Sequence, residues 1–594
     1  MVSLETENGT VGLVPDRDRC LMGIEQDDAV VKVRLGSEQV DVLITAVAGD
    51  WFESFRHVTT TVYGFEEPRQ YRMLVDVVSD EACYLSNNTD IWSQNLGVVS
   101  SFPKRDYVFV FYGLTFTIPA LYAWHQITGD KQALDRVRKC VRFLVEYPGE
   151  RIKDGPTAGA FFSQFGLPGA ENCCGSGSVN GGGDAGNHRW LEPHATGAAT
   201  WVLLHYYEVD GKRDREVLAT AKAGLDWLLK VQNPDGGWVY AYNVNGTNVT
   251  QTEGAGNIWS IWALYRYGKL TGEGKYLEAA QRGKRWFAAK FVANHTCNGY
   301  WEDTAAGTKE ADWKDAGGGW EAYEFAIATN VFAEMGDKDL AVESAKNAVT
   351  WVWTRALDCR DYFNSYGGVH EQWTWPPASY VAPMFGLAAQ AAYRLTGDEF
   401  FHRFGGAAKT IGWWTVKKTA HGIFPAEASQ SDLGGSFWPL EATEFVPIEG
   451  PLTTQYWADW ITAQQCTLCL RWLVNEVNQK SGGRIAVDAE TLMGTVLGGP
   501  GSVKFRPNEF TINAQHRELN WLGYQTENSR VLALINHSGS TTVRLSFVES
   551  VSSPMSVVTG SVEGHWMQED RRGVSQLDVR LPDRGCALVV WRST

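Results

Sequence analysis

The chain has 594 residues, of which 44% are hydrophobic and 21% charged, an ordinary globular balance spread over more length than one small core organises. A net charge of -16 and a pI near 5.3 exclude the clustered Lys and Arg that a phosphate backbone requires, so no nucleic-acid partner is expected. No run of about 18 apolar residues occurs, and the N-terminus lacks a basic segment followed by an apolar one, so no membrane partner and no export signal are expected, and localisation is left open.

Residues 1–104 alternate apolar and polar positions over short runs, VVKVRL, VDVLITAV and RMLVDVV, broken by Gly, Asp and Asn. This is a β signature, and it predicts an N-terminal β-rich domain. Over 105–481 the period becomes helical. Tyr276, Ala279, Ala280, Gly283, Trp286 and Phe287 fall on one face of a predicted helix, while the run before it, NIWSIWALYRYGKL, is apolar nearly all round. Between them lies a joint of the type YRLTGDEFF (393–401), with relatives at 124–134, 207–217, 267–277 and 333–342. Its glycines, Gly129, Gly211, Gly272, Gly336 and Gly397, are spaced by 82, 61, 64 and 61 residues. A gap near sixty holds two helices, a short turn and one longer loop. Inner helices buried on every side and outer helices with one wet face are what a ring of hairpins requires. With the final run TTQYWADWITAQQCTLCLRWLVNEVNQ the count is eleven helices, one lacking an assigned partner, and the fold predicted is an (α/α)6 toroid. After 482 strands return (GSVKFRPNEFTI, SRVLALINHSG, TTVRLSFV, CALVVW), predicting a C-terminal β-sandwich over 482–594 that either packs on the toroid or binds carbohydrate.

The short joints leave little room for chemistry at their end of the ring. The long loops, containing 148–193, 231–254, 292–317, 357–379 and 419–452, must gather at the other end, where the inner helices begin and point their partial positive charge inward. Cys466 and Cys469, at helical spacing in an apolar run, read as core rather than as metal ligands. Sequons at Asn8, Asn87, Asn245, Asn248, Asn294 and Asn536 permit glycosylation if a eukaryote exports the chain.

Five hairpins joined by TGD-like turns, the loop entry LLKVQNPDGGW (228–238) and flanking β segments resemble the α/α-toroid carbohydrate-active enzymes, which include glycoside hydrolases and polysaccharide lyases. The resemblance covers 105–594 at the level of architecture. It implies an oligo- or polysaccharide substrate, and it carries no catalytic residues over by position. The 26 Trp, 22 Tyr and 26 Phe suit core packing first, with some left to stack on sugar rings.

Within GNHRWLEPHATGAATW (186–201), Asn187, His188, Trp190, Glu192 and His194 precede an inner helix. The resemblance to toroid lyases implies that Asn187 could neutralise a uronate carboxyl group and His188 move a proton; the alternative is that His188 and His194 cap the helix. Their spacing permits a metal, but no third ligand is evident and none is expected. SYGGVHEQWTWPP (365–377) supplies Tyr366, His370, Glu371, Trp373 and Trp375: a carboxyl group among indoles holds its proton more readily if desolvated, which suits a general acid. DWKDAGGGWEAYE (312–324) supplies Asp315 and Glu321 as partner carboxylates, with helix capping by Asp315 as the alternative. Trp238, Glu253 and Tyr456 are candidate substrate contacts, as are Glu444 and Glu449. A glycine pattern at Gly181, Gly183 and Gly186 follows no strand, and no P-loop exists, so no cofactor is expected. One QxxxGxW (232–238) resembles the terpene cyclases but stands alone without a DxDD run. The reading is a glycosidic-bond hydrolase using paired carboxylates (Glu371, Asp315, Glu321), or alternatively a lyase using His188 or His370.

Overall fold

The structure, a computed structural model, describes residues 2–6, 12–16, 19–23, 28–35, 38–45, 50–62, 74–87, 89–99, 107–146, 152–166, 190–248, 254–293, 319–355, 381–406, 408–409, 415–419, 422–425, 458–482, 484–487, 493–496, 499–503, 510–513, 519–526, 529–551, 554–560 and 566–592. The chain divides into two compact units, Met1–Glu67 and Pro68–Thr594. In the first, the strand Asp28–Leu35 pairs antiparallel with both Val2–Thr6 and Glu38–Thr45. A separate hairpin joins Gly12–Asp16 to Arg19–Gly23, and helix α1 (Trp51–His57) follows.

The second unit is built around helical pairs. These are α3 (Thr115–Thr128) with α4 (Lys131–Glu146), α5 (Pro193–Val209) with α6 (Arg215–Val231), and α7 (Ile258–Thr271) with α8 (Gly274–Phe287). They continue with α9 (Gly319–Glu334) and α10 (Lys338–Arg355), then α11 (Val381–Thr396) and α12 (Glu399–Phe404). The first helix of each pair packs on the first helix of the next, and α13 (Ala458–Lys480) touches both α11 and α3, closing a ring of inner helices. Thr467 of α13 donates its hydroxyl to the Phe116 carbonyl at 2.9 Å across that closure.

The outer partner of α13 is α2 (Leu74–Asn87), which brings the helices of the ring to twelve among the described residues. Here the expectation of strands through RMLVDVV is corrected. Leu74, Val78, Ala82 and Leu85 are buried at spacings of three and four, a helical stripe that a window of seven residues shows only as alternation. The first amide of α2 is held by Asn520 Oδ1 at 2.7 Å, from a strand 446 residues away, so no local N-cap residue marks the start of this helix.

The recurring joint has a local cause. All five marker glycines take positive φ, between 74° and 79°, which ends a helix in the left-handed region. Where an Asp follows it caps the next helix: Asp130 accepts from Gln132 N at 2.9 Å, Asp214 from Glu216 N at 3.1 Å, and Asp398 from Phe400 N at 2.9 Å, whereas Glu273 after Gly272 makes no side-chain cap. On α8 the buried residues are Tyr276, Ala279, Ala280, Gly283, Trp286 and Phe287, and on α7 the run from Ile258 to Leu264 is buried on every side. Cys466 and Cys469 are buried in α13, and burial pushes both thiols well up.

After α13 the chain forms an eight-stranded antiparallel sheet in the order Ile485–Val487, Met493–Val496, Gly499–Val503, Leu519–Thr526, Ser529–Asn536, Cys586–Arg592, Met555–Gly560, Trp566–Arg571. A three-stranded sheet, Phe510–Asn513, Thr541–Val551 and Val574–Leu581, touches it through the last of these strands. The sheets join the ring where Trp472 stacks on His537 with centroids 5.7 Å apart, and where Lys480 Nζ donates to the Arg584 carbonyl at 2.8 Å.

Two predictions follow from backbone placement. An ideal Cβ at Gly197 would lie 2.5 Å from the Ser260 nitrogen, so α5 and α7 approach closely there, whereas a Cβ at Gly272 would meet nothing within 4 Å. Gly272→Ala should therefore cost about 1 kcal/mol through φ alone, and Gly197→Ala about 3 kcal/mol or more, read as urea midpoints; equal costs would contradict the close approach. Asn536 is wholly buried and directs its Nδ2 at the carbonyls of Ser538, Gly539 and Pro582 at 2.9–3.0 Å. After secretion from a eukaryotic host, peptide mapping should find glycan at exposed Asn245 and none at Asn536.

Candidate active site

The inner helices begin at the ring end opposite the glycine joints, and the described parts of the long loops converge there. Trp190–Leu191 pairs with Tyr242–Asn243, tying the approach to α5 to the loop after α6. Thr157 Oγ donates to the Val244 carbonyl at 2.8 Å, and Lys230 Nζ to the Pro156 carbonyl at 2.6 Å.

At this tie the start of α5 carries a buried polar cluster. Glu192 is the extended residue before the helix, Pro193 fixes the first helical φ, and the Glu192 carbonyl accepts from Thr196 N at 3.0 Å. The Glu192 side chain is wholly buried; the Tyr240 hydroxyl donates to its Oε1 at 3.4 Å, and His194 Nε2 lies 3.5 Å from its Oε2. Burial lowers the His194 imidazole to about 3, which keeps it neutral at ordinary pH, so this contact is not an ion pair. His194 meets Phe111 edge-on at 5.0 Å, and Phe111 in turn meets Trp259 of α7 at 6.0 Å, so aromatic rings wall the cluster. Asn257, just before α7, donates to the Gly254 carbonyl at 3.1 Å, and Ser260 Oγ donates to the Pro193 carbonyl at 2.9 Å, which holds the starts of α5 and α7 together.

Of the residues singled out from sequence, the structure brings Glu192 and His194 together. Trp190 and Glu321 are placed by backbone, in the strand beside α5 and in the first turn of α9. Trp238 is corrected to a core residue: it is wholly buried, donates Nε1 to the Leu228 carbonyl at 3.0 Å and stands edge-on to Trp286. Asn187, His188, Glu253, Asp315, Tyr366, His370, Glu371, Trp373, Trp375 and Tyr456, with Glu444 and Glu449, lie outside the described residues. Tyr240 and Glu324 carry no signal in the sequence that marks them as site residues. Tyr240 sits in the alternating run WVYAY, a signal that reads as packing, and Glu324 is a buried carboxylate of α9, three residues after Glu321 on the same helical face. Among the described residues no group of three or more His, Cys, Asp or Glu is placed to hold a metal ion, and no helix is long and apolar enough to cross a membrane.

No protein-family model and no curated protein matches the chain. Among solved structures it is similar to a D-mannose isomerase, at 12% identity and TM-score 0.46 over 67% of this chain and 97% of that one. It is also similar to a cellobiose 2-epimerase from Spirochaeta thermophila, at 15% identity and TM-score 0.43 over 67% and 97%. An unsaturated glucuronyl hydrolase from Bacillus sp. GL1 gives 15% identity and TM-score 0.42 over 67% and 96%. Each bears the name of a sugar-processing enzyme, and no single family is identified.

Because folded His194 titrates near 3 against 6.5 for the free side chain, the native state binds fewer protons than the unfolded chain between those values, and stability falls as pH drops through that window. His205 and His537 are held down in the same direction by burial. Urea midpoints should decline between about pH 7 and pH 4, less steeply in His194→Gln; parallel curves would remove His194 as a contributor.

Proposed function

We propose that this chain is a carbohydrate-active enzyme that cleaves glycosidic bonds of an oligo- or polysaccharide by hydrolysis with paired carboxylates. On this reading the toroid of 105–481, completed by α2, is the catalytic domain, and the N-terminal β-rich segment and the C-terminal β-sandwich of 482–594 are accessory. The observation that carries it is the buried Glu192, Tyr240 and His194 cluster at the ring end where the inner helices begin. It is walled by the aromatic faces that sugar rings stack on. A carboxylate, a phenol and a neutral imidazole in one dry cluster hold the geometry of the loops around them and keep protons at defined atoms.

The reacting carboxylates in this proposal are Glu371 with Asp315 or Glu321, from hairpins that a closed ring brings round one axis. One carboxyl group protonates the glycosidic oxygen as it leaves. The other, as carboxylate, activates a water molecule or attacks the anomeric carbon, and their separation sets inversion or retention. Asn187, Trp190, Glu253, Tyr366, Trp373, Trp375 and Tyr456 are proposed to line the sugar subsites. A second reading is β-elimination on a uronate glycan with His188 or His370 as base.

The two readings separate in one experiment. Mass spectra of products from neutral and uronate-containing glycans should show fragments that have gained water; an unsaturated end without added water would replace hydrolysis by elimination. In the hydrolase, Glu371→Gln or Asp315→Asn should lower turnover on the order of 10²–10⁴-fold with folding intact, and full activity in both would remove the carboxylate assignment.

A further inference from the structure

The inner helices enclose an axial cavity of about 560 Å³ with two unlike ends. Towards the loop end its lining is apolar: Phe116, Trp259 and Met384 lie in the first turns of α3, α7 and α11. Towards the joint end it carries three guanidinium groups, Arg266, Arg394 and Arg471, with Glu334 as the one carboxylate among the lining residues described.

The lining carboxylate Glu334 is already engaged. Glu334 accepts from Trp262 Nε1 at 2.6 Å and lies 4.0 Å from Arg266 Nε, while Arg266 also donates to Glu208 at 3.0 Å. Arg266 and Arg471 both sit over the Trp201 ring, at 5.7 and 5.2 Å from its centroid, which holds two guanidiniums against one indole. The buried His205 stacks on the same indole, and burial together with these two cations keeps it neutral. Arg394 differs from both: its side chain is exposed, it donates to Asn475 Oδ1 at 2.7 Å, and among the described residues no carboxylate pairs with it. Compensation of helix C-termini accounts for Arg394 alone, since Arg266 and Arg471 lie before the last turns of their helices.

We propose that this cavity is a binding site for a small organic oxyanion, a carboxylate or phosphate on a body of about monosaccharide size, entering from the joint end. The guanidinium forks would take the oxyanion bidentately, and the indole of Trp262 would take the apolar face of the body. The site is separate from the loop-end cluster and does not depend on the proposed reaction there.

Calorimetric titration of the full chain with glucuronate, inorganic phosphate and glucose tests it. The expected result is saturable one-site binding of glucuronate or phosphate and none of glucose, with the tighter of the two naming the carboxylate or the phosphate as the natural group. Arg394→Gln, with circular dichroism and melting unchanged, should weaken that binding about tenfold or more, whereas Glu192→Gln should leave it intact. Failure of both anions to saturate, equal binding of glucose, or anion binding lost in Glu192→Gln and kept in Arg394→Gln would each overturn the proposal.

Discussion

The rest of the second unit depends on one constraint: its inner helices are buried along most of their length on the sides that face neighbouring helices. The run from Ile258 to Leu264 in α7 and from Pro193 to Tyr206 in α5 is buried on all sides, so each helix needs a neighbour to left and right as well as an outer cover. A row of hairpins would leave two such helices exposed at its ends. Closure through α13 and α3 removes both ends, and the Thr467 to Phe116 bond lies within that seam. The same constraint explains why α13 needs a cover, which the chain supplies from α2, far earlier in the sequence.

Closure also gives the ring a direction. Every inner helix runs from the loop end to the joint end, so helix N-termini gather at one and C-termini at the other. The Glu192 cluster lies at the first, and the guanidiniums of Arg266 and Arg394 lie towards the second. Between them stand Phe111, Phe116 and Trp259, edge to face, a partition of rings that keeps two polar regions apart within a single barrel. Burial holds His194 neutral, and burial together with Arg471 and Arg266 holds His205 neutral.

Much of the helical frame was legible because its causes are local. A glycine at positive φ followed by a capping Asp is written in four or five consecutive residues, and the six buried positions of α8 follow from helical periodicity within one segment. The site was legible only in part. Glu192 and His194 stood out as polar residues before an apolar helix, but their partner Tyr240 arrives from another loop and looks in sequence like any strand aromatic. The expectation that the joint end is plain also missed the three arginines, which lie on α7, α11 and α13 and share a cavity only once the ring is shut.

The sequence by itself determined the hairpins, their joints, the apolar character of the inner helices and the return to strands after 482, because each rests on spacing or dihedral preference within a few residues. Only the tertiary structure decided that α2 is a helix of the ring with its first amide held by Asn520, that Trp238 and Asn536 are interior, and that arginines from three hairpins meet on one axis. The physical reason is the same in each case: burial and capping are properties of what lies across a contact, and here the partners across the contacts are 10, 46 and 446 residues away along the chain.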